Sequence, residues 1–292
     1  MVRGGFGPIL ERFRVWAEAE PAVRGAIVVG SQARTVAPAD EWSDLDLVIF
    51  HDSPESLVDS PEWVHRFGPV VLTTVEETAL LHMRERRVLY SDGQDVDFSV
   101  FPAAALTLVA ESGEGLSVLA RGVEVVVDKD GHLASIPSAV RAASAVPAPL
   151  PDEAEFQAVV ADFWYHVLWS AKKLRRGELW TAKMAMDGYL KRLLLRLIEW
   201  QAIVRRGSSV DVWHSGRFLE AWAERDTLAR LPATFARYDA ADLARALNEQ
   251  SRLFSDLVHE VARARSWDAL DAAESRVREL TGALLKGTDR SG

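Results

Sequence analysis

The sequence predicts an α+β protein, with a mixed β-sheet domain carrying helices followed by an all-α helical bundle. Three observations carry this. Short β-branched runs broken by turn residues fill the first half of the chain, and a Pro- and Ala-rich connector runs from Ile136-Pro137-Ser138 to Pro147-Ala148-Pro149-Leu150-Pro151. Beyond Asp152, prolines are few and apolar residues recur at three- and four-residue intervals. The 292 residues therefore divide into a first domain at 1–136, a linker at 137–151, a helical domain at 152–286 and a disordered tail at 287–292.

Taken in order, Ile9-Leu10-Glu11-Arg12-Phe13 reads as a helix, without the long apolar core of a signal peptide. Strands are expected near 23–29, 45–50, 70–73, 87–90, 95–101 and 123–128, with helices between them. In the second half, helices are expected near 153–176, 178–205, 240–265 and 267–286.

Composition narrows the function classes. Hydrophobic residues make up 48% and charged residues 26%, with no run of eighteen apolar residues to span a membrane, so a cytoplasmic enzyme with no membrane partner is expected. Zero cysteines exclude disulfides, thiolate zinc sites and thiol nucleophiles. The seven histidines show no metal-ligand spacing and are expected at the surface or as caps. With 43 acidic against 34 basic residues, the net charge of -9 disfavours nucleic acid and suits a cationic small molecule. Neither a Gly-x-x-x-x-Gly-Lys-Ser/Thr loop nor a Gly-x-Ser-x-Gly elbow occurs.

Chemistry concentrates between residues 26 and 50. The β-branched run Ala26-Ile27-Val28-Val29 ends at Gly30, where a glycine allows a sharp turn and close approach of a phosphate. Ser31 offers a hydroxyl and an amide to anionic oxygens. Asp44 and Asp46 then alternate with Leu45 and Leu47, so both carboxylates share one face of a strand. Alone, an Asp-x-Asp pair is usually a solvated strand end or a turn. Here it follows a Gly-Ser loop between two apolar strands, and a second pair trails it at Asp95 and Asp97. Three carboxylates suit Mg²⁺, which shares oxygen ligands between acidic side chains and substrate phosphates. Asp97 is the expected third ligand, with Asp95 as its substitute.

These residues resemble the DNA polymerase β-like nucleotidyltransferases, whose signature is Gly-Ser, a gap, Asp-x-Asp and a later Asp. Gly30 to Phe50, including Pro38-Ala39-Asp40-Glu41-Trp42, is similar in more detail to the aminoglycoside 6-adenylyltransferases, which modify streptomycin. The similarity continues through Asp162-Phe163-Trp164, Glu178-Leu179-Trp180, Met186 to Leu190 and Leu194 to Trp200. One departure is Gln32 directly after Gly-Ser, where the family usually has Arg; this chain's Arg stands at position 34, within reach of nucleotide phosphates. The resemblance implies a nucleotidyltransferase fold, ATP as co-substrate with Mg²⁺, an aminoglycoside acceptor, and substrate contacts from Trp164 and Glu178.

In the second half, Lys183, Asp187 and Lys191 recur at four-residue spacing. Functionally, Asp187 is the general base toward the acceptor hydroxyl, the position the resemblance also implies, and Lys191 neutralises triphosphate charge. Structurally, the same spacing describes ion pairs on a solvated helix face. The expected activity is transfer of AMP from Mg-ATP to an aminoglycoside hydroxyl with release of pyrophosphate. Another acceptor (a lincosamide, a nucleotide or a protein hydroxyl) or a non-catalytic nucleotide sensor remains open.

Overall fold

The computed structural model describes residues 5–34, 38–77, 84–106, 119–134, 136, 150–212 and 215–286. Two compact units are formed, Met1–Val146 and Pro147–Gly292. The expected linker, except Leu150 and Pro151, and the expected tail lie outside the described residues.

The first unit begins with α1 (Gly7–Ala19), β1 (Val23–Val29), a 3₁₀ turn at Gly30–Ala33 and β2 (Leu45–His51). There follow α2 (Pro54–Asp59), β3 (Val70–Glu77), β4 (Arg84–Tyr90), β5 (Asp95–Pro102) and β6 (Val123–Asp128). The six strands form one sheet in the order β3-β4-β5-β2-β1-β6. Strands β2 and β5 run parallel, and the other neighbours are antiparallel.

Period-two alternation sorts the side chains by face. Leu45, Leu47 and Ile49 join Val96, Phe98 and Val100 in a core that also takes Ile9, Phe13 and Ala17, spaced four apart on α1. Aromatic rings fasten this layer, with the centroids of Phe13 and Phe67 5.5 Å apart and those of Trp63 and Phe98 4.8 Å apart. A smaller core of Ile27, Phe50, Phe101, Leu106 and Leu133 covers part of the opposite face. Asp46 and Asp97 alternate out of the first core, toward that opposite face.

The sheet follows the predicted strands closely, but β3 and β4 are longer than their apolar runs. Their outer arms pair Glu76 with Glu85, Val75 with Arg86 and Glu77 with Arg84, and Arg87 reaches Glu76 at 2.6 Å. Glu77 thus faces the opposite charge of Arg84, while the like-charged Glu76 and Glu85 are offset by the diagonal reach of Arg87.

The second unit comprises α3 (Glu153–Arg175), α4 (Leu179–Met184), a π-helical turn at Ala185–Leu190 and α5 (Lys191–Arg206). Short helices α6 (Leu219–Trp222) and α7 (Arg225–Arg230) precede α8 (Ala240–Arg265) and α9 (Asp271–Leu285). Asp152 caps α3 by accepting from the Glu155 amide at 2.8 Å, and Asp239 caps α8 by accepting from that of Asp242 at 2.9 Å. The core gathers Phe156, Phe163, Leu197 and Phe254, with the Phe163 and Phe254 rings stacked. Helix α9 starts at Asp271 instead of near 267, because Leu270 sits in the left-handed region at φ 58° and Asp268 accepts its amide at 2.9 Å.

Candidate active site

The 3₁₀ turn places the Gly-Ser loop directly against the carboxylate strand. Gly30 has φ 68°, and a Cβ built there would lie 2.1 Å from Asp46 Oδ2. Glycine is needed for both the turn and the space. Ser31 is 5% exposed, and its hydroxyl has no hydrogen-bond partner among the described residues. Its carbonyl accepts from Ala39 at 3.0 Å and from Arg34 at 3.3 Å, closing the loop on itself. Arg34 follows the turn and is partly buried.

Two further contacts fix the loop. Gln32 is 3% exposed and donates from Nε2 to the Asp44 carbonyl at 3.2 Å, tying the turn to the strand entrance. The residue that departs from the family pattern is therefore a brace between loop and carboxylates. Gly122, at the start of β6, packs on the same turn, because a Cβ there would lie 2.6 Å from the Ala33 carbonyl and 2.7 Å from the Arg34 nitrogen.

Asp44, Asp46 and Asp97 each offer an oxygen, and the three oxygens lie within 4.8 Å of one another. Parallel pairing sets Asp46 beside Asp97 across β2 and β5. Asp95 is exposed and lies outside the cluster, so Asp97 completes it. An all-carboxylate donor set is that of a hard divalent cation such as Mg²⁺. Burial, opposed by Arg87 and reinforced by the like charges of Glu85, Asp44 and Asp95, pushes the Asp97 carboxyl up to about 7. Such crowding is what a bound cation relieves.

With this geometry in place, the streptomycin adenylyltransferase family profile is found to match residues 8–283. The chain belongs to that family. It is accordingly a nucleotidyltransferase enzyme. An aminoglycoside 6-adenylyltransferase of Campylobacter jejuni is 22% identical over 258 residues, which is 85% of this chain and 84% of its own. One of Bacillus subtilis is 21% identical over 234 residues, 78% and 80% of the two chains. The crystal structure of an aminoglycoside 6-adenyltransferase from Bacillus subtilis covers 94% of this chain and 97% of its own at TM-score 0.47 and 17% identity. No helix among the described residues of this adenylyltransferase family member is long and apolar enough to cross a membrane.

In the second unit, Asp187 stands in the π-helical turn, a widened turn that often marks a functional position. Lys183 donates from Nζ to Asp187 Oδ2 and to the Ala236 carbonyl, the latter at 2.7 Å. The other oxygen, Oδ1, is buried without a hydrogen-bond partner among the described residues. Lys183, which reads from spacing as a surface ion-pair partner, thus orients Asp187 through one oxygen and leaves the other buried without a partner among the described residues.

Three expectations change on contact with the packing. Lys191 does not present a free ammonium: Nζ donates to the Thr234 carbonyl at 2.8 Å and to Gln250 Oε1 at 3.1 Å, 4.4 Å from the centroid of the Phe235 ring. Trp164 is 1% exposed and packs at 5.4 Å against Phe163, a core residue and not a substrate platform. Glu178 is held by Lys173 and Arg176, each at 2.7 Å, and the Lys173 contact lowers its pKa. His51 is not at the surface, being 3% exposed, and its ring accepts at 3.0 Å from the amide of Ser53, the residue that opens α2.

Burial lowers Lys191 to about 8, with Asp187 pulling upward and Lys183 downward. Between that value and the ordinary 10.5, the unfolded chain holds a proton that the folded chain has released. Stability contributed here rises with pH across that window, and the cost of the buried ammonium is fully present below it. Relative to Lys191→Met, wild type should therefore gain up to about 2 kcal/mol between pH 7.5 and pH 9.5. Urea midpoints of both proteins at the two pH values check this; a constant difference would refute it.

Proposed function

We propose that this enzyme transfers AMP from Mg-ATP to a hydroxyl of an aminoglycoside of the streptomycin kind, releasing pyrophosphate. The observation that carries the reading is the three-carboxylate cluster beside a loop whose buried serine hydroxyl has no partner among the described residues. Family membership and two aminoglycoside 6-adenylyltransferase relatives support the acceptor class. The net charge of -9 agrees with a cationic acceptor.

Asp44, Asp46 and Asp97 would hold Mg²⁺, and the ion would supply stabilisation of the negative charge that develops on the triphosphate as pyrophosphate leaves. Gly30 lets the phosphates approach the loop, and the Ser31 hydroxyl donates to one of their oxygens. Arg34, which follows the turn, would add its guanidinium to phosphate binding. Asp187 takes the acceptor hydroxyl's proton as the hydroxyl oxygen bonds to the α-phosphorus and pyrophosphate leaves, with Lys183 holding one oxygen of the carboxylate.

Pyrophosphate release from Mg-ATP tests the reading, measured alone and with streptomycin, a second aminoglycoside and lincomycin. Release confined to the aminoglycosides supports it. Release only with lincomycin keeps the chemistry and moves the acceptor, and ATP binding without release under every condition refutes transfer to these acceptors. Asp187→Asn should lower kcat with the active acceptor by about 10²–10⁴-fold and leave the ATP KM within about twofold.

A further inference from the structure

The carboxylate cluster has a cationic neighbour built into the sheet. Antiparallel pairing of β4 with β5 places Arg87 directly across from Asp97, as the parallel pairing places Asp46 on its other side. Asp46, Asp97 and Arg87 therefore form one row across three strands, at sequence positions far apart. Arg87 Nε lies 3.3 Å from Asp97 Oδ2.

The guanidinium does not rest there by chance. Nε and an Nη of Arg87 donate to Glu85 Oε1 at 3.0 and 2.9 Å, and the same Nη reaches Glu76 at 2.6 Å. Glu85 is 8% exposed, and its second oxygen accepts from the Ser99 hydroxyl at 3.1 Å. A carboxylate so deeply placed adds little stability to a sheet that apolar residues would serve as well. What Glu85 does supply is a fixed anchor for the planar fork of Arg87, one a flexible lysine could not use in the same way.

We infer that Arg87 is a positioning residue, anchored on Glu85, that aims the Asp97 carboxylate at Asp44 and Asp46 and so sets the cation affinity of the cluster. Outer partners of ligating carboxylates act in this manner, and their loss weakens metal binding about 10–100-fold. The inference rests on the cluster being the Mg²⁺ site, so the test separates the two.

The test is Mn²⁺ binding to the purified full chain, followed by electron paramagnetic resonance without nucleotide or acceptor. Thermal unfolding of each variant verifies folding. Arg87→Gln should raise the Mn²⁺ Kd about tenfold, Glu85→Gln should act in the same direction through the released guanidinium, and Arg87→Lys should fall between Arg87→Gln and wild type. Should Arg87→Gln fail to fold, the Lys variant still decides, because unchanged Kd there would overturn the role. An Arg87→Gln protein binding Mn²⁺ as tightly as wild type, or more tightly, shows that Arg87 only opposes the cation, and the inference is wrong. Asp46→Asn is the control for the site itself: wild-type affinity in that variant removes the metal site, and this role for Arg87 with it.

Discussion

Replacing Asp46 by Asn should lower nucleotidyl transfer by at least about 10³-fold and leave the thermal midpoint of the metal-free protein at or above that of wild type. The two halves of this expectation have one cause. Asp44, Asp46 and Asp97 stand within 4.8 Å of one another, so in the absence of a cation the folded state bears their mutual repulsion, and an amide of the same shape removes part of it. The same amide is a poor ligand for a hard cation, and several kcal/mol of charge stabilisation in the transition state goes with it, each 1.36 kcal/mol being tenfold in rate. Turnover by pyrophosphate release and unfolding by calorimetry check the pair of outcomes. Full turnover in the variant would sink the metal assignment.

Gly30→Ala should cost about 10²-fold in kcat/KM for ATP, with only about 1–2 kcal/mol lost from stability. A methyl at this position would meet Asp46 Oδ2 at 2.1 Å, at a backbone φ of 68°. The left-handed conformation accounts for the stability loss. The activity loss comes from the carboxylate, which is the movable partner and must swing off its aim, where displacement of about 1 Å is enough for a hundredfold effect. If this is right, Gly30→Ala adds little to Asp46→Asn in the double variant, because the methyl acts through the carboxylate that the second change has already disabled. Equal and additive losses would instead mean that the loop backbone contacts the nucleotide independently of Asp46.

Legibility in the sequence tracked how local the cause of each feature is. Strands such as Ala26–Val29 and Leu45–Phe50 announce themselves through β-branched runs and alternation that the folded sheet preserves. The Gly-Ser loop and the three aspartates were readable for the same reason, since spacing within a strand determines which face a side chain takes. Helices α6 and α7 were not, being four and six residues long, and α6 is entered through Phe218 at φ 55°, a conformation no propensity predicts. The long arms of β3 and β4 were not legible, because Arg84-Glu85-Arg86-Arg87 has no apolar alternation, and what holds it, such as Arg87 on Glu76, comes from the partner strand. Gln32 looked like a departure from a pattern and is a brace, a role only its contact with the Asp44 carbonyl reveals. Trp164 was given an outward role by the resemblance and Lys191 by its spacing, whereas burial accounts for the first and internal acceptors for the second. The π-helical turn carries no composition signal of its own, since it widens one continuous helical pattern by a single residue per turn.

The parallel pairing of β2 with β5 also governs when the site comes into being. Its two facing aspartates are separated by the whole of β3 and β4, so they meet only after a long-range crossover has closed. During synthesis, a nascent chain that has emerged only through β4 has the loop and the first two carboxylates but neither the third nor the strand that aligns it. Completion of the three-carboxylate cluster therefore depends on the pairing of β2 with β5, and a ligand held by all three would stabilise only chains in which that pairing has formed.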